Sequence, residues 1–527
     1  MKRLLIIIYV SCSLCAIGQT IVHIDNPMTW TCSELKNYIG QTIEFDIPFY
    51  VCNNYQQTAY QISPRRIYSP TNQELPSSAE YKELVSLNNN GVVSLSGVDN
   101  YHRMGEKLKK LTVRVNSISS LSLVSCIYEG NTREELIAGP PSVDIVGEHT
   151  ILVCGFNLEY FLAENLGTGY GPDSKSEHEK QKAKIGEALG KIGADIFGFV
   201  EIEQGQTALK ELAQMLTQKT GRIYSYIDDG GSANSSYTKS GYVYCTQTVE
   251  PVGRLLTNEV GVSNRKKMQT FMEKQTGEKF IFSINHFKAK SGSASGDNAN
   301  QGDGQGSYNA TRVAESKAII KLAEEAKKLF EDDDVLVMGD LNAYAKEDPI
   351  IEFLNVGMVD LHRYFHADSS YSYVYHGQAG YLDHAIANRS LTTQITGIAA
   401  YHINSDEDDR YTYDKSNDLS MFRCSDHDPV LVGLRLGAEF ETNLPPEEDS
   451  RTLYDKCDMD IIDGQVLIVN NDKGYFRIYN SFGELYKHGS VTDDYFVAAH
   501  AQDLPQGVYI INLYVDHKVK QYKILIP

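Results

Sequence analysis

Six times between residues 150 and 430 Asp, Glu, Asn or His sits at an end of an apolar, strand-like run. The clearest case is Val335-Leu336-Val337-Met338-Gly339-Asp340-Leu341-Asn342. Four apolar residues give a buried-strand signal, and Gly339 can supply a tight turn. Asp340 and Asn342 follow at i and i+2, so in extended chain both side chains point to one face. The other ends are Asn157, Glu201, Asn285-His286, Asp383-His384 and Ser425-Asp426-His427. Any one of them is ordinary turn or cap chemistry. Together they restrict the fold, because strand ends in an α/β sheet gather at one edge, where sites form.

Helical spacing fills the gaps between these strands. Ile185, Ala188, Leu189 and Ile192 follow a Ser174 or Ser176 cap, Leu209 to Leu216 form a second helix, and Ile319 to Ala326 a third. This strand-helix alternation predicts one α/β unit of catalytic size over residues 146–436. A chain of 527 residues has room for more. Residues 19–145 carry short β-type runs (Thr42 to Phe45, Gly91 to Leu95, Leu111 to Val115) spaced by turn residues, which predicts a small all-β, OB-like domain. Residues 437–456, with Pro445-Pro446 and an acidic run, read as a linker; 457–527 read as a C-terminal β-sandwich domain.

Met1-Lys2-Arg3 before an apolar stretch, with Ala16-Ile17-Gly18 behind it, reads as a signal peptide over residues 1–18, so export is expected. No later segment is long enough to span a bilayer as a helix. Without Cys12 and Cys15 seven cysteines remain, an odd number, so at least one is free or pairs between chains. The net charge of −20, from 69 acidic and 49 basic residues, argues against holding nucleic acid by bulk charge. It leaves an anionic substrate open, because a metal ion can supply positive charge locally.

The pieces Phe156-Asn157, Val200-Glu201-Ile202-Glu203, Asn285-His286-Phe287-Lys288, Gly339 to Ala343, Leu382-Asp383-His384-Ala385 and Ser425 to Val430 resemble, in order, the motifs of the endonuclease/exonuclease/phosphatase superfamily. Gly302 to Gly306 leading into Asn309-Ala310-Thr311-Arg312, and Gly377 to Asp383, resemble its bacterial extracellular nuclease branch. Val200 departs from the Gln that many relatives carry before the metal-binding Glu. The resemblance implies a four-layer α/β sandwich, two packed sheets flanked by helices, that hydrolyses phosphodiester bonds. It assigns Asn157, Glu201 and Asp426 to a divalent metal. Oxygen ligands suit Mg2+ or Mn2+, with Ca2+ possible. His427 is implied as the general base held by Asp383, with His286 on the other side of the phosphate and Asp340 and Asn342 orienting water and phosphate. Arg312, at the start of a helix, has the fork to grip a phosphate. His384 reads as strand packing, Glu203 as support behind Glu201, and His178 and His402 as solvent-facing.

Such chemistry needs more than a proton transfer. Phosphate ester hydrolysis is so slow uncatalysed that the barrier must fall by ~20 kcal/mol or more. General acid-base help supplies only ~10²–10⁴-fold. The expected substrate is nucleic acid, DNA before RNA, cut endonucleolytically. A phosphatase or lipid phosphodiesterase on the same scaffold is the alternative enzyme, and a surface binding protein with a decayed site the non-enzyme alternative. Phe476 to Leu485, Leu504 to Ile510 and Lys518 to Ile524 resemble the C-terminal sorting domain of type IX secretion substrates, which implies the secretion machinery as a partner.

Overall fold

The computed structural model describes residues 20–54, 60–98, 101–138, 146–231, 238–258, 260–261, 264–366, 369–440 and, beyond 458, chiefly the strands. The expected signal peptide, most of the linker and Cys457 lie outside the described residues.

Residues 146–436 build around two six-stranded sheets. One runs Tyr224–Tyr226, Thr238–Cys245, Ile196–Glu203, Ile151–Phe161, Val430–Leu434, Ile395–Ala400. The other runs Val249–Thr257, Lys266–Glu273, Lys279–His286, Val335–Asp340, Asp383–Ala387, Val359–Asp360. Ile151, Val153, Ile196 and Val200 of the first meet Phe282, Ile284, Leu336 and Met338 of the second in one buried cluster. The sheets approach so closely at Gly198 that a Cβ there would come within 2.8 Å of Ile284 and Phe282.

Helices Lys175–Ile192 and Thr207–Thr220 press Ile185, Leu189, Leu209 and Leu212 onto the outer face of the first sheet. Asn309–Phe330 and Asp348–Asn355 cover the second with Ile319, Ala326, Ile350 and Phe353. The result is the expected four-layer α/β sandwich. It explains why the central strands read as unbroken apolar runs: each is buried on both faces.

Register does the positioning. The Lys279–His286 and Val335–Asp340 strands pair in parallel with His286 opposite Asp340. Val335–Asp340 pairs antiparallel to Asp383–Ala387 with Asp340 opposite Asp383. His286, Asp340 and Asp383 therefore stand in a row across three adjacent strands. Gly339, beside that row, has φ +118°, and a Cβ there would lie 2.1 Å from the Asn285 carbonyl oxygen. Gly339→Ala is expected to cost on the order of 3 kcal/mol, from strain plus clash. A shift in urea midpoint of the folded chain measures it.

The amino-terminal unit has seven strands in the order Thr20–Val22, Thr42–Phe45, Lys107–Ser117, Phe49–Asn53, Tyr60–Ser63, Val93–Ser96, Ser120–Glu129. An extra pairing of Lys107–Ser117 with Ser120–Glu129 closes five of them into a barrel around Trp30, Phe45, Phe49 and Val113. It is not all-β. Helix Ala79–Asn90 interrupts it, capped by Ser78, whose side chain accepts from the Tyr81 N–H. The helix buries only Asn88, so it lacks the apolar stripe that marks a helix in sequence. At the carboxy end, three strands (Asp458–Ile462, Gln465–Val469, Tyr495–His500) and four (Leu485–Val491, Gly474–Asn480, Gly507–Val515, Lys518–Ile526) form two sheets. Among the described residues no helix is long and apolar enough to cross a membrane. Cys52, Cys154, Cys245 and Cys424 are buried free thiols.

Candidate active site

The row His286–Asp340–Asp383 meets the ends of the first sheet across the sandwich. His286 Nε2 lies 3.7 Å from Asp340 Oδ2 and 3.5 Å from Glu201 Oε1. Asn157 donates its side-chain amide to Asp340 Oδ2 at 3.2 Å, while its oxygen accepts from the Glu159 N–H at 3.0 Å. Asn342 takes φ +48°, donates its N–H to Asp340 Oδ1 at 2.8 Å, and holds the Phe287 carbonyl at 3.2 Å.

His427 completes the arrangement from a different loop. Its Nδ1 is 2.7 Å from Asp383 Oδ2, an oxygen that also accepts the Ser372 hydroxyl at 2.7 Å. A carboxylate at Nδ1 places that proton on Nδ1 and leaves Nε2 as the basic atom. Nε2 faces Asp340 at 3.9 Å and Asp426 at 4.0 Å. The Tyr373 ring stacks on the imidazole at 4.6 Å between centroids. Ser425 fixes the loop by donating to the Asn157 carbonyl at 2.7 Å and accepting the His427 N–H at 3.2 Å.

Burial and crowded like charge set the electrostatics. Burial first, then Asp426 and Asp340, pushes the Glu201 carboxyl up to about 8. Burial also dominates at Asp340, which sits at about 7; His427 offsets part of the rise and Asp383 adds to it. The two histidines diverge. Burial, reinforced by Arg265 and His427, holds His286 well below the usual imidazole range. Burial would lower His427 too, but Asp383, Asp426 and Asp340 outweigh it and hold that ring well above the range. The two imidazoles that flank the same carboxylates are thus shifted in opposite directions.

Asn157, Glu201, His286, Asp340, Asn342, Asp383, Asp426 and His427 are brought together; Arg312 is not. Arg312 is fully buried in helix Asn309–Phe330, and its guanidinium donates to the carbonyls of Lys288, Ser307 and Gln305. It ties down the glycine-rich loop instead of facing substrate. His384 donates from Nε2 to the Ala343 carbonyl at 2.7 Å from a buried position, and Glu203 gathers the N–H groups of Ala163, Glu164 and Asn165. His178 is not solvent-facing: it is buried and pairs with Glu211 at 2.8 Å. His402 stacks on Tyr371 and meets Asp428 at 2.9 Å.

Sequence reasoning missed Glu159, Ser372 and Tyr373. Glu159 lies two residues beyond Asn157, on a strand that runs on to Phe161, and has φ +48°. Burial, with Asp426 adding, pushes its carboxyl up to about 8. Strand parity would have marked Glu159, because i and i+2 share a face. Ser372 and Tyr373 carry no local signal for a partner in a distant loop.

The amino-terminal barrel is part of the same construction. Asp406 pairs with Arg66 at 2.6 Å, and the buried Glu407 with Arg103 at 2.7 Å, Arg133 and the Tyr101 hydroxyl at 2.8 Å. The loop bearing those carboxylates is fixed to the His427 loop. The Asn404 side chain donates to the His427 carbonyl at 2.7 Å, and the Asn404 and Ser405 N–H groups reach Asp428 at 2.8 and 3.0 Å.

The donors fit a hard divalent cation. Glu159, Glu201, Asp340 and Asp426 concentrate negative charge, and Glu201 and Asn157 offer oxygen ligands. Among the described residues no three His, Cys, Asp or Glu side chains form a closed metal cage.

Comparison with known proteins gives the site a setting. A search among curated proteins finds no significant match. Among solved structures, the chain is similar to the human Nocturnin catalytic domain with bound sulfate (15% identity, 54% of this chain and 94% of that one, TM-score 0.38). It is also similar to a Bacteroides thetaiotaomicron mannosyl-6-phosphatase (16%, 54% and 100%, TM-score 0.36). A third similar structure is D. rerio TDP2 complexed with single-strand DNA product (12%, 54% and 98%, TM-score 0.34). The profile of the Endonuclease/Exonuclease/phosphatase family matches residues 156–427, just over half of the sequence and the whole span from Asn157 to His427. On that match the chain belongs to the Endonuclease/Exonuclease/phosphatase family, whose members are hydrolases of phosphate esters and phosphodiesters.

Proposed function

We propose that the protein is a secreted, divalent-metal-dependent nuclease that cuts phosphodiester bonds within DNA. The observation that carries the reading is the pairing of His427, anchored through Nδ1 by Asp383 with Nε2 turned toward Asp340, with His286 on the far side of Asp340. One group is suited to take a proton and the other to stabilise a developing charge. The nuclease-branch resemblance of Gly302 to Arg312 and Gly377 to Asp383 favours nucleic acid over a phosphomonoester or a lipid.

Glu201 and Asn157 would hold the cation, Mg2+ or Mn2+, with Asp426 beside them. When bound, it supplies the positive charge that the phosphoryl oxygens need. His427 Nε2 accepts the proton of the attacking water, and Asp383 stabilises the imidazolium through Nδ1. Asp340, braced by Asn157 and the Asn342 N–H, orients water against the phosphate. His286, buried and neutral, sits where it can hydrogen-bond a phosphoryl oxygen or the leaving oxygen.

Purified protein is expected to degrade plasmid DNA with Mg2+ and to stop with EDTA. Hydrolysis confined to phosphomonoesters or lipid diesters in the same substrate panel would overturn the nuclease reading. Export belongs to the proposal, on the charged-then-apolar start and the carboxy-terminal resemblance to sorting domains. Fractionation should find the protein in the medium or on the cell surface, and retention in the cytoplasm would refute that part.

A further inference from the structure

Two pairs of tyrosines lead outward from the catalytic groups. On the His427 side, Tyr373 covers the imidazole, and Tyr375 lies nearly parallel to Tyr373, at 12° and 6.4 Å between centroids. Tyr375 is 58% exposed. It stands on a short hairpin, Tyr373–Tyr375 against Gln378–Gly380, turned by His376 and Gly377 at φ +49° and +77°. The hairpin is held from behind: the Ser69 N–H donates to the Ala379 carbonyl at 2.7 Å, and the Ala379 N–H to the Ile67 carbonyl at 2.8 Å.

On the Glu201 side, Tyr160 takes φ +57° and stacks with Tyr170 at 5.0 Å and 25°. Tyr170 is 60% exposed. Tyr160 stands on strand Ile151–Phe161, three residues beyond Asn157 and next to Glu159, whose N–H donates to the Asn157 side chain, which places this pair beside the carboxylates.

In each pair the outer ring is more than half exposed and lies within 25° of parallel to its inner neighbour. A ring held in this way loses little freedom on binding a flat partner. A nearby cation suits an anionic backbone: Lys288, two residues beyond His286, lies over the Tyr308 ring at 4.4 Å, whereas Lys290 is already paired with the buried Glu347. Resting on the nuclease reading, we infer that Tyr375 and Tyr170 are stacking platforms for unpaired nucleobases on the two sides of the scissile phosphodiester. The preferred substrate is then single-stranded or locally unpaired nucleic acid. Stacking of a base on an aromatic side chain tolerates every base, so the platforms grip without reading sequence.

The test uses the full chain with Mg2+, a short oligodeoxyribonucleotide, and an abasic strand of the same length. Stacking is worth roughly a factor of ten in affinity per base. Tyr375→Ala and Tyr170→Ala should each raise KM for the base-carrying strand about tenfold. The abasic strand should be cleaved by wild type and variants with the same, weaker KM, and Tyr375→Trp or Tyr170→Trp should restore the tight KM. Both side chains are exposed, so folding is not at stake. Unchanged KM in the Ala variants, or equal rises on both strands, would overturn the platforms alone. Wild-type protein that cleaves duplex plasmid but neither single strand would overturn the platforms, and protein that cleaves none of the three would overturn the nuclease reading beneath them.

Discussion

His427→Ala should lower kcat on DNA by roughly 10²–10⁴-fold, the usual worth of a positioned general base, while KM moves little. Asp383→Asn should come close to it. That substitution keeps the shape but puts an amide against Nδ1, so the proton no longer has to sit there and Nε2 ceases to be the basic atom. The double variant should be scarcely worse than His427→Ala alone, because groups that act as a unit are not additive. Asp383 also accepts the Ser372 hydroxyl, so an alanine there would leave two buried donors without acceptor at a cost of about 1–3 kcal/mol. Circular dichroism and a urea midpoint on each variant separate that loss from lost catalysis. Full activity in both single variants would rule out His427 as the general base.

Glu407→Ala should be the most destabilising change in the link between the amino-terminal barrel and the catalytic sandwich. Its side chain is completely buried and meets Arg103, Arg133 and the Tyr101 hydroxyl. Arg103 is almost completely buried itself, so removing the carboxylate leaves an uncompensated guanidinium in low dielectric. The expected cost is about 3–5 kcal/mol. Glu407→Gln keeps hydrogen-bond acceptance at one oxygen and should lose less. Because Asn404 and Ser405 tie the same loop to Asp428 and the His427 carbonyl, turnover should fall along with stability. Proteolysis that releases an intact barrel at lower urea than wild type would locate the damage at this junction. A variant with an unchanged midpoint would show that the pairing contributes nothing net.

The strand ends were legible because their signal is local: a polar residue at one end of an apolar run, after it at His286 and Asp340 and before it at Asp383 and His427. Two registers convert that local pattern into the row His286–Asp340–Asp383. The four layers followed from the same runs, since strands buried on both faces need a sheet on one side and helices on the other. Arg312 was misread because sequence gives the residue type and not its direction. The same guanidinium that matches a phosphate also matches three carbonyls of a tight loop. Helix Ala79–Asn90 was missed because a Ser- and Asn-rich segment without an apolar stripe looks like loop. The clamp of Arg66, Arg103 and Arg133 on Asp406 and Glu407 joins positions some three hundred residues apart, and nothing local announces such a pairing.

Glu159, Tyr160, Glu201 and Asn342 all have positive φ, between +48° and +57°. Each such backbone costs an L-residue roughly 1–2 kcal/mol. The floor of this centre is therefore wound against its own preference, and the rest of the sandwich keeps it so. Glycine at Glu201 would relax the chain there and remove the carboxylate in the same stroke. A selection for heat resistance alone would drift toward sturdy, inert descendants, and would do so first at these four residues.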